Sequence, residues 1–206
     1  MNSLDRAIQD VQQFFADKIK EHGAVAKGVD WKNEEAQFLR FEQLLKVVQD
    51  TDEPFSLLDY GCGYGALLTY LNKQGYDVRY VGFDITPEVI EAANQLFPQA
   101  HFDTTVETLA PMDYVVSSGI FNMKLGAPVD QWESYVKQVI SEQWELCTKG
   151  MAFNCLTSYS DPEYMRDNLY YPDPKTYFDW CKRTFSRNVA LLHDYGTYDW
   201  TMIVRK

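Results

Sequence analysis

A chain of 206 residues is long enough to bury one α/β core and too short for two full domains. Its formal charge of −11 argues against nucleic acid as a partner, since proteins that neutralise phosphates carry a basic stripe, and the densest basic cluster here, Lys182, Arg183 and Arg187, reads as a solvated helix face. No apolar run approaches the roughly 20 residues of a membrane span, and the early acids Asp5 and Asp10 argue against a secretory leader.

The four cysteines show neither a CxxC pair nor zinc spacing, which predicts reduced thiols in a cytoplasmic protein. Histidine is scarce, and no metal is expected. From the start of the chain, Leu4, Ile8, Val11, Phe15 and Ile19 recur at helical spacing and predict an amphipathic helix to about Glu21. Its apolar face either packs as a cap on the core or serves as a lid over a ligand cleft. A loop between Gly23 and Gly28 leads to Trp31. A second helix over 33–49 takes Asn33 as its N-cap and Glu34 and Glu35 in its first turn. Gln37 and Arg40 share a face there, as an exposed polar flank or, for Arg40, as a group reaching a ligand carboxylate.

The next unit organises the rest. Phe55, Ser56, Leu57 and Leu58 predict a buried strand that ends on Asp59. Gly61, Gly63 and Gly65, at alternate positions, let the backbone turn tightly and admit a ligand against main-chain N–H groups. The helix that follows, ended by Gly75, points its positive N-terminus into the same place. A nucleotide-type cofactor is therefore expected here.

A second strand over 77–83 ends at Asp84, and Pro87 suits the first position of a helix to about Phe97. Short strands follow at 100–103 and 113–118, the latter running into Gly119, Ile120, Phe121 and Asn122. A long helix over 130–147 and a strand over 151–156 complete the alternation, which demands a doubly wound parallel sheet with helices on both faces. A helix over 174–184 precedes strands at 189–193 and 198–204. Only Asp194 to Thr197 separates those strands, so the sheet is expected to finish in an antiparallel hairpin. The chain is expected to form a single domain over 1–206, with 1–50 as a helical cap and 51–206 as a Rossmann-like core.

Two cofactor readings compete for the turn. Gly61-x-Gly63-x-x-Ala66 with Asp84 satisfies a loose dinucleotide fingerprint, which would make the protein an NAD(P)-dependent reductase. The alternative includes Asp59, whose carboxylate suits an ammonium group and would repel a pyrophosphate. A dinucleotide enzyme also usually needs a second substrate domain, for which there is no room.

Taken together, Asp59-Tyr60-Gly61-Cys62-Gly63-Tyr64-Gly65, the segment Val81 to Asp84 with Ile85, the segment Asp113 to Asn122 and the terminal hairpin resemble a class I S-adenosylmethionine-dependent methyltransferase. The resemblance covers 29–206. It implies a seven-stranded sheet with the last strand antiparallel and inserted between the fifth and sixth, with S-adenosyl-L-methionine as cofactor. It further implies that Gly61, Cys62 and Gly63 lie against the methionine and ribose, that Asp84 accepts from the ribose hydroxyls and that Ile85 packs on adenine. Val106 and Glu107 stand where the family often places a polar residue near the adenine amino group, without a clean acidic match. Ser118 and Gly119 would border the methionine moiety and the departing methyl.

The implied reaction is in-line displacement at the sulfonium methyl, toward an O or N atom of a small-molecule acceptor. Acceptor contacts are expected at the carboxyl ends of the strands. The candidates are Trp31, Phe121, Asn122, Asn154, Ser158, Tyr159, Tyr164, Tyr170 and Tyr171. His193 and Asp194, at the end of the sixth strand, are the candidates for a proton acceptor, against a plain packed histidine. The alternative function is an adenosylmethionine-binding regulatory or scaffold protein without turnover.

Overall fold

A computed structural model describes residues 3–206; positions 1 and 2 of the expected domain span lie outside the described residues. Seven strands form one sheet in the order β3-β2-β1-β4-β5-β7-β6. They are β1 (Phe55–Tyr60), β2 (Val78–Phe83), β3 (His101–Asp103), β4 (Met112–Ser117), β5 (Cys147–Leu156), β6 (Asn188–Leu192) and β7 (Asp199–Arg205). The first five pair in parallel, whereas β7 runs antiparallel between β5 and β6. The expected doubly wound sheet and its inserted last strand are therefore present.

Six α-helices accompany the strands among the described residues: α1 (Ser3–His22), α2 (Glu34–Leu45), α3 (Ala66–Gln74), α4 (Pro87–Leu96), α5 (Val129–Leu146) and α6 (Pro174–Thr184). Alternation of side chains along each strand divides the core into two layers. On one face Leu57 of β1 packs with Leu44 of α2 and with Leu67 and Leu71 of α3. On the other, Leu58 and Tyr60 pack with Trp132, Val136 and Ile140 of α5 and with Tyr177 of α6. The helix ends follow their sequence signals. Asn33 caps α2 by accepting the Ala36 N–H at 2.9 Å, Asp173 accepts the Lys175 N–H at 2.9 Å ahead of α6, and Gly75 closes α3 in the left-handed region.

α2 belongs to the layer beneath the sheet, where Phe41, Leu44 and Leu45 are buried. α1 packs elsewhere, against α4: Lys20 reaches Glu88 at 3.3 Å, and the Gln12 amide donates to the Ile85 carbonyl at 2.8 Å. α1 thus crosses above the carboxyl end of β2. No described helix is long and apolar enough to cross a membrane.

Candidate active site

Strand order reverses between β1 and β4, which pair directly, with Asp59 opposite Val116. Connections from these two strands depart to opposite faces and leave a crevice at their carboxyl ends, the place where open α/β sheets bind ligands. The glycine turn after β1 and the Ser118–Gly119 tail of β4 form the two sides of that crevice.

The turn is held from β2. Gly61 and Cys62 both donate their N–H groups to the Phe83 carbonyl, at 2.7 and 2.9 Å. Gly63 donates to Asp84 Oδ2 at 3.0 Å, and Thr86 donates to Asp84 Oδ1 at 2.9 Å. Gly61 has φ +84°, and a Cβ there would lie 2.2 Å from Ile120 Cγ2, so no larger residue fits. Burial raises the Asp84 carboxyl above its ordinary value, opposed by the Thr86 and Gly63 N–H groups.

Asp59 is buried and accepts the Tyr80 hydroxyl at 2.8 Å. Burial pushes its carboxyl up to about 7; the Tyr80 bond lowers it and the nearby Asp84 raises it further. A cationic ligand group beside Asp59 would be stabilised by the carboxylate and would draw that value back down.

These groups open into one cavity of ≈ 300 Å³. Of the residues expected at the site, it brings together Asp59, Gly61, Cys62, Gly63, Asp84, Ile85, Ser118, Gly119, Trp31, Phe121 and Asn122. Its roof is α1, through Ile8, Val11 and Phe15, so the apolar stripe of that helix covers the cleft. The sequence showed that α1 has an apolar face without showing what the face meets. Tyr60, Met123, Trp132, Tyr135 and Leu169 also line the cavity, and of these Tyr60 alone fell within a motif singled out in the sequence.

Other expected residues lie outside the cavity. Arg40 is committed within the protein: it pairs with Asp199, donates to the Ala36 carbonyl at 2.7 Å and lies 4.6 Å from the centre of the Trp31 ring. Asp199 is buried and takes the charge that a ligand carboxylate was expected to meet. Val106 and Glu107 form a 3₁₀ turn after β3 in which Val106 packs toward the α5 layer and Glu107 is exposed. Asn154 sits behind the wall, where Oδ1 accepts the Gly119 N–H at 2.6 Å and Nδ2 donates to Ser118 Oγ at 3.4 Å. It positions the β4 tail and does not face the cavity.

The tyrosines after β5 also lie elsewhere. Tyr170 is buried with its hydroxyl 3.0 Å from that of Tyr177, and the Tyr171 hydroxyl accepts the Arg166 N–H at 3.1 Å. Ser158 is exposed, as are Tyr159 and Tyr164, which face His193 and Tyr198 respectively. His193 and Asp194 are exposed past the end of β6. Because β7 intervenes between β5 and β6, that end lies two strands beyond β5 and away from the crevice.

A family model described as "Methyltransferase domain" matches residues 4–142. The chain belongs to that methyltransferase family. It is 45% identical over 165 residues to "Putative methyltransferase Rv1506c" of Mycobacterium tuberculosis, spanning 79% of this chain and 99% of that one. Two solved structures share the fold at 14% identity. One is the plantazolicin methyltransferase BpumL in complex with a pentazolic desmethylPZN analogue and S-adenosylhomocysteine (TM-score 0.62, covering 98% of this chain and 99% of that one). The other is the magnesium protoporphyrin IX methyltransferase ChlM from Synechocystis PCC 6803 with bound S-adenosylhomocysteine (TM-score 0.60, 84% of each chain). At that identity the methyltransferase neighbours speak to architecture alone. The family match and the relative carry the assignment.

Proposed function

We propose that this S-adenosylmethionine-dependent methyltransferase moves a methyl group to an O or N atom of a small-molecule acceptor by in-line displacement. One observation carries the reading: the glycine turn, Asp59 and Asp84 converge at the sheet's reversal point and open into a cavity that continues past Gly119 toward Asn122.

The donor set fits the cofactor. Asp84, already fixed by two backbone N–H groups, keeps acceptor capacity for ribose hydroxyls. Asp59 suits the ammonium of the methionine portion, and Ile85 offers an apolar surface to adenine. The cofactor supplies an electrophilic methyl on a sulfonium, so the chain has chiefly to hold the acceptor in line and exclude water. α1 serves the second task by closing the cleft with Ile8, Val11 and Phe15. That roof supports the reading of α1 as a cap over the core, whereas α2, also within the expected cap of 1–50, belongs to the core layer beneath the sheet. Four buried, free cysteines support a reducing, cytoplasmic setting.

The test is label transfer from methyl-labelled S-adenosylmethionine into a panel of small hydroxylated and amino compounds, with bulk RNA and protein as controls. We expect label in a small molecule and its loss in Asp84→Ala. Label appearing in the macromolecular controls instead would refute the acceptor class.

A further inference from the structure

We infer that the half of the cavity beyond Gly119 takes an uncharged, largely apolar acceptor, anchored through one of its oxygen atoms by the side-chain amide of Asn122. The inference rests on the methyl-transfer reading above and adds the chemistry of the acceptor to it.

The orientation of Asn122 is fixed by its partners. Its Oδ1 accepts the Leu156 N–H at 3.0 Å. A backbone N–H can only donate, so the atom facing it must be the carbonyl oxygen, and the amide cannot be flipped. The main chain of Asn122 is held as well: its carbonyl accepts the Tyr170 N–H at 2.8 Å and its own N–H donates to the Gly119 carbonyl at 3.4 Å. Nδ2 is therefore aimed to the other side, 3.7 Å from the position a Cβ of Gly119 would occupy, and has no hydrogen-bond partner among the described residues. The cavity wall thus carries a preset donor beside the tail of β4.

The charge around it excludes an anion. The charged groups lining the cavity are Asp30, Asp59 and Asp84, and no Lys, Arg or His lines it among the described residues. Arg40 lies behind the Trp31 ring and is neutralised by Asp199. Asp30 is paired with Lys18 at 3.1 Å, and Asp59 and Asp84 lie on the cofactor side, so an anionic acceptor would have to desolvate its charge with no side-chain cation of the cavity wall to meet it. Around Asn122 the wall is apolar, made of Phe121, Met123, Leu156 and Leu169. A preset amide donor in a largely apolar stretch of wall selects a neutral molecule with one oxygen at the right place and rejects the analogue that lacks it.

Binding of simple probes tests this without knowing the natural acceptor. Protein saturated with S-adenosylhomocysteine is titrated with acetophenone, with benzoate as the anionic near-isostere and with ethylbenzene lacking the oxygen, by ligand-observed saturation-transfer NMR. Acetophenone is expected to bind about ten-fold more tightly than either comparator. Asn122→Asp keeps an oxygen for the Leu156 N–H and replaces the donor with an acceptor; it should lose acetophenone binding about ten-fold. Asn122→Leu should do the same, and the melting temperature of each variant reports whether it remains folded. Absence of saturable acetophenone binding overturns the inference, as does benzoate binding equally well or a folded Asn122→Asp that binds acetophenone like wild type. Failure of S-adenosylhomocysteine itself to bind overturns instead the methyl-transfer reading beneath it.

Discussion

The indole of Trp31 lies directly on Gly119: a Cβ at position 119 would sit 2.8 Å from Trp31 Cζ2. Gly119 also holds φ +75°, so both its backbone angle and its missing side chain are required. Gly119→Ala is expected to cost about 1–3 kcal/mol from the left-handed backbone, plus the displacement of Trp31. In a double-mutant cycle, Trp31→Ala should recover the steric part and leave the backbone part. Thermal melts of the four proteins separate the two.

Asp84 has two tasks, since its carboxylate holds the Gly63 N–H and faces the cavity. Asp84→Ala should weaken S-adenosylhomocysteine binding by about 10- to 100-fold, the range for losing charge-assisted hydrogen bonds. Titration calorimetry reads this directly. Wild-type affinity in the variant would remove Asp84 from the site.

Asp59 gives the protein a defined pH dependence. Its carboxyl titrates at about 7 in the folded chain, against about 3.9 when unfolded, because burial disfavours the charge. Between about pH 4 and 7 the folded state holds a proton that the unfolded chain has released. The contribution of Asp59 to stability therefore falls as pH rises through that window, with a slope of up to about 1.4 kcal/mol per pH unit. Asp59→Asn cannot ionise and should gain stability relative to wild type from pH 5 to 7 in urea melts. An ammonium placed at Asp59 favours its ionised form, so S-adenosylhomocysteine binding at pH 6 should release a proton. Calorimetry in buffers of different ionisation enthalpy detects it.

In the Arg40–Asp199 pair Asp199 is buried and Arg40 mostly so, and neither Arg40 Nε nor Asp199 Oδ1 has a hydrogen-bond partner among the described residues. Asp199→Ala strands the guanidinium and is expected to destabilise by about 3–5 kcal/mol. Replacing both, as Arg40→Met with Asp199→Leu, should cost much less, because no charge is left uncompensated. Chemical denaturation of the two variants decides it.

Much of this architecture is written in local sequence. Gly61, Gly63 and Gly65, each at positive φ, and Asp84, which holds the Gly63 and Thr86 N–H groups, stand out in the sequence because the backbone of the turn needs them. The terminal hairpin is legible from the short turn between its two strands. The acceptor half is assembled from segments distant in sequence, and there local reading fails. Residues 193 and 194 end a strand at the correct edge of the sheet, yet insertion of β7 carries them away. Asn154 points at the β4 tail rather than past it, while α1 supplies a roof that its amphipathic pattern permits without locating.

The loop after β4 and the segment after β5 are clasped together. Met123 bridges to Leu169 in antiparallel fashion, and Lys124 and Leu125 both donate to the Asn168 carbonyl, at 3.1 and 2.9 Å. None of these bonds involves the glycine turn, Asp59 or Asp84. Leu169 carries that segment into the cavity wall, so exchanging residues 165–169 for those of a relative is expected to change the wall beside Met123 and to leave the hydrogen bonds of the glycine turn as they are.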